Sequence, residues 1–315
     1  MQHTIKNYFI AVNVLVLCLM LTGCLDDNVT YCSDVSAKPS SELNIFSRIQ
    51  DGFEQVSGNR HAGILCHNCY SNNNDDLSYT LEKLYFALDE NVDFLELDIV
   101  VEPENDGIAR ISHEASSTGV LLDDVLHDQR VLTSTSPIFI EIKTSITAQS
   151  DIENLLDNIL SIKTNEGKSA YANSERMLIL RSVYFDTTLT TLRDTLLSTK
   201  YKEYEKFVKL SRIQNFNSVK TTKAEVRQSY QCGLHMIELD SRLSTDQIKQ
   251  VAKIARGLEL AVNVHTLDYS NYERYTTDLK NTVDVLTVEP CQDDSSSCSQ
   301  TDIFRNVKLL LEKAE

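Results

Sequence analysis

Residues 65–98 read LCHNCYSNNNDDLSYTLEKLYFALDENVDFLELD, and the fold of the whole chain turns on this stretch. An apolar run ends on His67-Asn68, a polar loop rich in Asn and Asp follows, and Leu77 to Asp89 spaces its apolar residues as a helix does. Val92 to Val100 is then a second apolar run, carrying Glu96 and Asp98 between leucines. Strand, loop, helix and strand in that order make a βαβ unit, whose two strands lie parallel and close together. A histidine, an amide and two carboxylates thus arrive at the ends of two neighbouring strands. Such a group can hold a divalent cation and move a proton.

The same alternation continues outward. Strands are expected at GILC (63–66), VDFLELDIV (92–100), PIFIEI (137–142), RMLILR (176–181), KFVKLS (206–211), LHMIEL (234–239), ELAVNVH (259–265) and VDVLTV (283–288). Amphipathic stretches at 77–89, 151–162, 186–197, 245–256 and 269–280 lie between them. Repeated βα units imply an α/β protein with a parallel sheet, and eight strands allow the sheet to close. The expected fold is a (β/α)8 TIM barrel spanning residues 58–315, with IARIS (108–112) as an extra hairpin after the second strand. An open doubly wound sheet is the rival architecture. Against it, no GxGxxG or GxxxxGK[ST] follows the first strand, and the chain holds only nine glycines. No GxSxG elbow is present either, which counts against an α/β-hydrolase.

Before the barrel come two shorter segments. Lys6, the apolar run Tyr8 to Leu21 and the small residues after it describe a secretory signal over residues 1–23. Leu21-Thr22-Gly23-Cys24 resembles the lipobox of bacterial lipoproteins, which implies lipidation of Cys24 and a tether over residues 24–57. With Leu25 after Cys24, that resemblance implies a place in the bacterial cell envelope, at the outer membrane facing the periplasm, with the membrane reached through the lipid anchor. The formal charge of −16 becomes −17 on removal of residues 1–23, which takes away Lys6 and no carboxylate. A surface this acidic repels nucleic acid, so the expected partners are small molecules and cations. Cys32, Cys66, Cys69, Cys232, Cys291 and Cys298 remain after removal of the signal and the lipidated residue, an even number suited to disulfides in an oxidising compartment. Cys291 and Cys298 are expected to form a local bridge. Cys66 and Cys69 are expected to brace the loop carrying His67, for instance by bridging to Cys32 or Cys232.

Barrel enzymes place their chemistry at the carboxyl ends of the strands. Those ends supply His67 and Asn68, Glu96 and Asp98, His113 after the hairpin, and Glu141 with Lys143. Because side chains alternate along a strand, Glu96 and Asp98 point the same way. Two inward carboxylates repel unless a cation lies between them. Three carboxylates with the Asn68 carbonyl form an all-oxygen set, which suits Ca²⁺ or Mg²⁺ better than zinc.

The series His67-Asn68, Glu96-x-Asp98, His113 and Glu141 resembles the X region of calcium-dependent phosphoinositide-specific phospholipases C. The spacings of 29 positions from His67 to Glu96 and 17 from Glu96 to His113 agree with it. The resemblance implies a metal-dependent phosphoric diester hydrolase acting on a phospholipid or its headgroup diester. It makes His67 and His113 the catalytic pair, Asn68, Glu96, Asp98 and Glu141 the metal ligands, and Ca²⁺ ahead of Mg²⁺ the expected metal. ISHE (111–114), IEIK (140–143), NVHTLD (263–268) and VDVLTVEP (283–290) are similar to the later strands of glycerophosphodiester phosphodiesterases, the alternative activity. Their opening His-Arg-Gly and their Glu-Asn-Thr are absent. Such enzymes use a substrate hydroxyl beside the phosphodiester as nucleophile, with one histidine accepting a proton and the other donating one. Lys143 and Arg181 are expected to bind phosphate.

The remaining polar residues have ordinary readings. His61, His127, His235 and His265 read as structural or surface histidines, and Glu238-x-Asp240 as a strand-end polar pair. A non-catalytic lipoprotein that kept the barrel to bind a ligand is the second class of function.

Overall fold

The computed structural model describes residues 32, 62–70, 76–102, 107–113, 119–214, 219–290 and 300–313. Among the described residues nine strands form one sheet: β1 (Gly63–Cys66), β2 (Leu95–Glu102), β3 (Ile108–Ile111), β4 (Ile138–Ile142), β5 (Leu178–Ser182), β6 (Val208–Ile213), β7 (Met236–Asp240), β8 (Ala261–Leu267) and β9 (Val285–Val288). Every pairing is parallel except that of β2 with β3. β1 pairs with β9 on one side. On its other side the bridge between Leu65 and Phe94, with Cys66 N–H donating to the Phe94 carbonyl at 3.2 Å, joins β1 to the start of β2. Those bonds close an eight-stranded (β/α)8 barrel. β3 is the extra hairpin, paired with the far end of β2 from Ile99 to Glu102, beyond the barrel rim.

Helices cover the outside: α1 (Leu77–Asp89), α2 (Leu122–Leu126), α3 (Gln129–Thr133), α4 (Gln149–Ser161), α5 (Thr190–Leu196), α6 (Val219–Gln231), α7 (Thr245–Gly257), α8 (Tyr272–Leu279) and α9 (Gln300–Glu312). α1 starts where it does because the Asp76 carboxylate accepts from the Ser78 and Tyr79 N–H groups, donors that a helix end leaves unpaired. At α7 a capping box serves the same need: the Ser244 hydroxyl accepts from Gln247 N–H, and the Gln247 side chain accepts from Ser244 N–H. α5 is entered through one π-helical turn, Phe185–Leu189.

Alternation along the strands separates two apolar regions. Outward residues such as Ile64, Leu97, Ile140 and Leu180 pack against the helices. Inward residues Leu65, Phe94, Phe139, Met177, Ile179, Met236, Ala261 and Val285 form a separate plug inside the barrel. Register then dictates what lies above the plug. Phe139 is level with Glu96, and two residues further along, Glu141 is level with Asp98 on one side and Arg181 on the other. Glu238 is level with Asn263, and Leu65 with Thr287. A polar layer therefore rests on an apolar floor, at the carboxyl ends of the strands.

The cysteines pair differently from the sequence expectation. Cys66 bonds to Cys69, and Cys32 bonds to Cys232 across a separation of 200 residues. The first bridge closes the turn that carries His67, which β1 delivers with Cys66 fully buried at its end, so the nearest thiol is three residues on rather than on another element. Cys24, Cys291 and Cys298 lie outside the described residues, as do residues 1–23 and most of 24–57. Among the described residues no helix is long and apolar enough to cross a membrane.

Candidate active site

β2 carries Glu96 and Asp98 into the barrel with no exposed surface, and β4 brings Glu141 beside them. One carboxylate oxygen from each of the three lies within 4.8 Å of the others. Burying like charges this closely is costly, and the surrounding groups show how the cost is met. Arg181 Nη2 contacts Glu96 and lies 3.1 Å from Glu141 Oε2, while its Nη1 lies 2.7 Å from Glu238 Oε2. Lys143 Nζ lies 2.6 Å from Glu141 Oε1 and 3.1 Å from Asp98 Oδ2. Four buried carboxylates are thus in contact with two cationic side chains. If all are ionised, two negative charges are left over.

The protonation tendencies express that excess. Burial, then the Asp98 charge, pushes the Glu141 carboxyl up to about 8 despite Lys143. Burial also raises Asp98, opposed by Lys143 and by Tyr70. For Lys143 burial works against the charge, yet Asp98 and Glu141 together outweigh it and hold the ammonium above its ordinary value. Both oxygens of Glu96 and both of Asp98 are buried without a well-formed hydrogen bond. An all-oxygen set and an excess of two negative charges on buried oxygens fit a divalent cation of the hard type. Glu96, Asp98 and Glu141 would hold it.

The two histidines stand over this floor. The tight turn after β1 puts Asn68 at φ +52°, a left-handed conformation that asparagine tolerates better than most residues. His67 is 16% exposed, with Nε2 4.0 Å from Glu96 Oε1 and Nδ1 3.9 Å from Glu289 Oε1. Burial, followed by the Arg181 charge, holds its pKa well below the ordinary histidine value, so the ring is neutral. His113 is 46% exposed, with Nε2 3.9 Å from Asp98 Oδ2. Its position follows from backbone: Ser112 N–H donates to the Asp98 carbonyl at 3.0 Å, and Ile111 N–H to the Val120 carbonyl at 2.9 Å. Gly119 permits that second contact, since a Cβ there would collide with the Ile111 carbonyl oxygen.

Asn68 sits beside the carboxylates with its amide nitrogen 3.0 Å from His67 Nδ1 and 3.4 Å from Glu289 Oε1. Its carbonyl oxygen accepts from the Tyr70 hydroxyl at 3.3 Å, and Tyr70 also lies against Asp98. In this arrangement Asn68 orients His67. Arg181 is 2% exposed and committed to three carboxylates, a place suited to balancing charge beneath the site rather than to meeting a phosphate. Lys143, with 19% of its side chain exposed, is the cation within reach of a ligand. Glu238, read from the sequence as a strand-end pair, is instead the fourth carboxylate of the layer: besides Arg181 it accepts from the Ser211 hydroxyl at 2.7 Å and from Asn263 Nδ2 at 2.8 Å. The signal was present, because MIELD repeats the LELD spacing of β2.

No protein-family model matches this sequence, and no curated protein matches it. Solved structures do resemble it. A glycerophosphodiester phosphodiesterase from Parabacteroides distasonis ATCC 8503 is 13% identical and aligns over 81% of this chain and 98% of its own, with a TM-score of 0.55. The shared feature is the TIM-barrel fold. A glycerophosphodiester phosphodiesterase from Agrobacterium tumefaciens strain C58 (12% identical, 79% of this chain, 99% of its own) and an archaeal fructose 1,6-bisphosphate aldolase (10%, 84% and 99%) follow with TM-scores of 0.49 and 0.48. At such identities the fold alone is shared, so the chemistry has to be argued from the side chains above. The resemblance to the phospholipase C X region likewise rests on its residue series.

Proposed function

We propose that this protein is a metal-dependent phosphoric diester hydrolase. The observation that carries the reading is a buried cluster of Glu96, Asp98 and Glu141 at the carboxyl ends of barrel strands, with a neutral His67 at the end of β1 and a solvent-facing His113 after β3 beside it. A divalent cation bound there would neutralise phosphoryl oxygens and lower the pKa of a coordinated hydroxyl. The protein's own groups supply the proton chemistry. His67, kept neutral by burial and by Arg181, accepts a proton from the attacking hydroxyl. His113, open to solvent, gives a proton to the leaving alkoxide and takes one back from water. Lys143 reaches from the carboxylates to the open side and binds a phosphoryl oxygen.

The family named by the Parabacteroides structure favours a glycerophosphodiester over an intact phosphoinositide as substrate. We further read Cys24 as a lipid anchor that holds the barrel at the envelope membrane, with the Cys32–Cys232 bridge tying the tether to the end of α6. Replacing Cys24 with Ala should release the protein from the membrane fraction. The deciding assay sets the mature protein against glycerophosphodiesters, lysophospholipids and phosphatidylinositol, with Ca²⁺, Mg²⁺ or chelator. Metal-dependent release of a phosphomonoester or cyclic phosphate is expected. If no diester turns over and metal leaves the melting temperature unchanged, the reading fails.

A further inference from the structure

A third imidazole faces the polar layer. His265 lies on β8, level with Asp240 of β7 and two residues beyond Asn263, so it shares the inward side of that strand. Asn263 bonds Glu238 and accepts from the Thr287 hydroxyl at 3.0 Å, which places His265 directly above the acid layer. It is near enough to His67 to depress that residue's pKa. Its backbone is fixed: Ser241 N–H donates to the His265 carbonyl at 2.6 Å, and the Ser241 hydroxyl to the Thr266 carbonyl at 2.8 Å.

The side chain is only half provided for. The Gln214 backbone carbonyl faces the ring and takes an N–H from it. Nε2 is buried and has no hydrogen-bond partner among the described residues, which leaves the Gln214 contact to Nδ1. Burial keeps the ring neutral, with Arg181 acting in the same direction against Glu238 and Asp240. A neutral imidazole that donates through Nδ1 presents a lone pair at Nε2. That atom cannot bind a phosphoryl oxygen, because both are acceptors. A buried acceptor without a donor is costly, so the site is completed by a ligand that brings one.

We propose that His265 Nε2 accepts a hydrogen bond from a hydroxyl of the substrate and selects phosphate esters of polyhydric alcohols. The inference rests on the diester reading, since it assumes that phosphate is held over the carboxylates. A hydroxyl is favoured over an ammonium group because Nε2 is buried, and desolvating a charged donor costs more than desolvating a neutral one.

Binding tests this without relying on turnover. sn-Glycerol 3-phosphate, n-propyl phosphate and 2-aminoethyl phosphate would be titrated by calorimetry into the mature protein with Ca²⁺ and, separately, Mg²⁺. The wild type should bind the glycerol ester more tightly than the propyl ester by on the order of tenfold, the value of one good hydrogen bond. His265→Phe should erase that preference while leaving propyl phosphate affinity unchanged, and His265→Gln, which offers an amide oxygen, should restore part of it. Equal weakening of both esters in either variant would mark a structural role and overturn the proposal. So would a wild type that shows no preference, or one that prefers the aminoethyl ester. Should the wild type hydrolyse no diester, the hydrolase reading fails on its own, while the ligand preference is still decided by these titrations.

Discussion

Arg181 on β5 reaches past β6 to Glu238 on β7, with Nη1 2.7 Å from Oε2, while its Nη2 holds Glu96 and Glu141 on the opposite side. One guanidinium thereby ties four strands together through the barrel interior. Removing one partner of a buried ion network leaves uncompensated charge, which costs about 3–5 kcal/mol. Arg181→Met should lower stability by that order in chemical denaturation at pH 7. Addition of a divalent cation should recover more stability in this variant than in the wild type, because the cation then carries more of the compensation.

Metal removal should destabilise the protein in the same assay. A cation that binds only the folded state at about a hundred times its dissociation constant adds roughly 2.7 kcal/mol. The melting temperature should therefore rise with Ca²⁺ or Mg²⁺ and fall on adding chelator. In Asp98→Asn the rise should be strongly reduced, since one of the three clustered carboxylates is gone.

The two disulfides should differ in what they protect. Cys32–Cys232 closes a loop of 200 residues, and chain-entropy arguments give such a bridge roughly 5 kcal/mol, with native disulfides delivering about 2–5. Cys232→Ser should lower the denaturation midpoint by an amount in that range. Cys66–Cys69 spans three residues and constrains the unfolded chain little, yet it borders His67. The double variant Cys66→Ser/Cys69→Ser should lose about tenfold or more in kcat, the order seen when a catalytic group is misplaced, with a smaller change in stability.

His235 gives the pH dependence a source away from the site. Its Nδ1 accepts from Leu210 N–H at 3.1 Å, and burial holds its pKa well below the ordinary 6.5. The folded ring stays neutral while the unfolded chain takes up a proton near pH 6.5, so folding loses stability as pH falls through that value. Urea midpoints between pH 8 and pH 5 should fall more steeply for the wild type than for His235→Asn, which keeps an acceptor and does not titrate. Parallel curves for the two proteins would contradict this.

The sequence carried the barrel because its strands are short apolar runs between turn residues, and β1 and α1 begin and end where the pattern places them. Helices α6 (VKTTKAEVRQSYQ) and α9 (QTDIFRNVKLLLE) are not among the expected helices, α6 because it has few apolar residues to mark a period. His67, Glu96, Asp98, His113 and Glu141 could be grouped because each ends an apolar strand or its hairpin. Depth was not legible. Arg181 looks like a phosphate ligand in ILRS, and only the register of β4 with β5, which sets it level with Glu141, shows it lying beneath the site. For the same reason Glu238 and His265 were passed over: they lie four and five strands from Glu96 in the sheet order, and only barrel curvature brings them to a shared centre.

In the proposed reaction His67 and His113 move protons for diester hydrolysis over a cation held by Glu96, Asp98 and Glu141. Its most direct test is the steady-state hydrolysis of a glycerophosphodiester by wild type, His67→Ala and His113→Ala, each with saturating metal and each checked for the metal-induced melting shift. Both variants should keep the shift and lose about 10²–10⁴-fold in kcat. Variants that bind metal and retain wild-type turnover would contradict it.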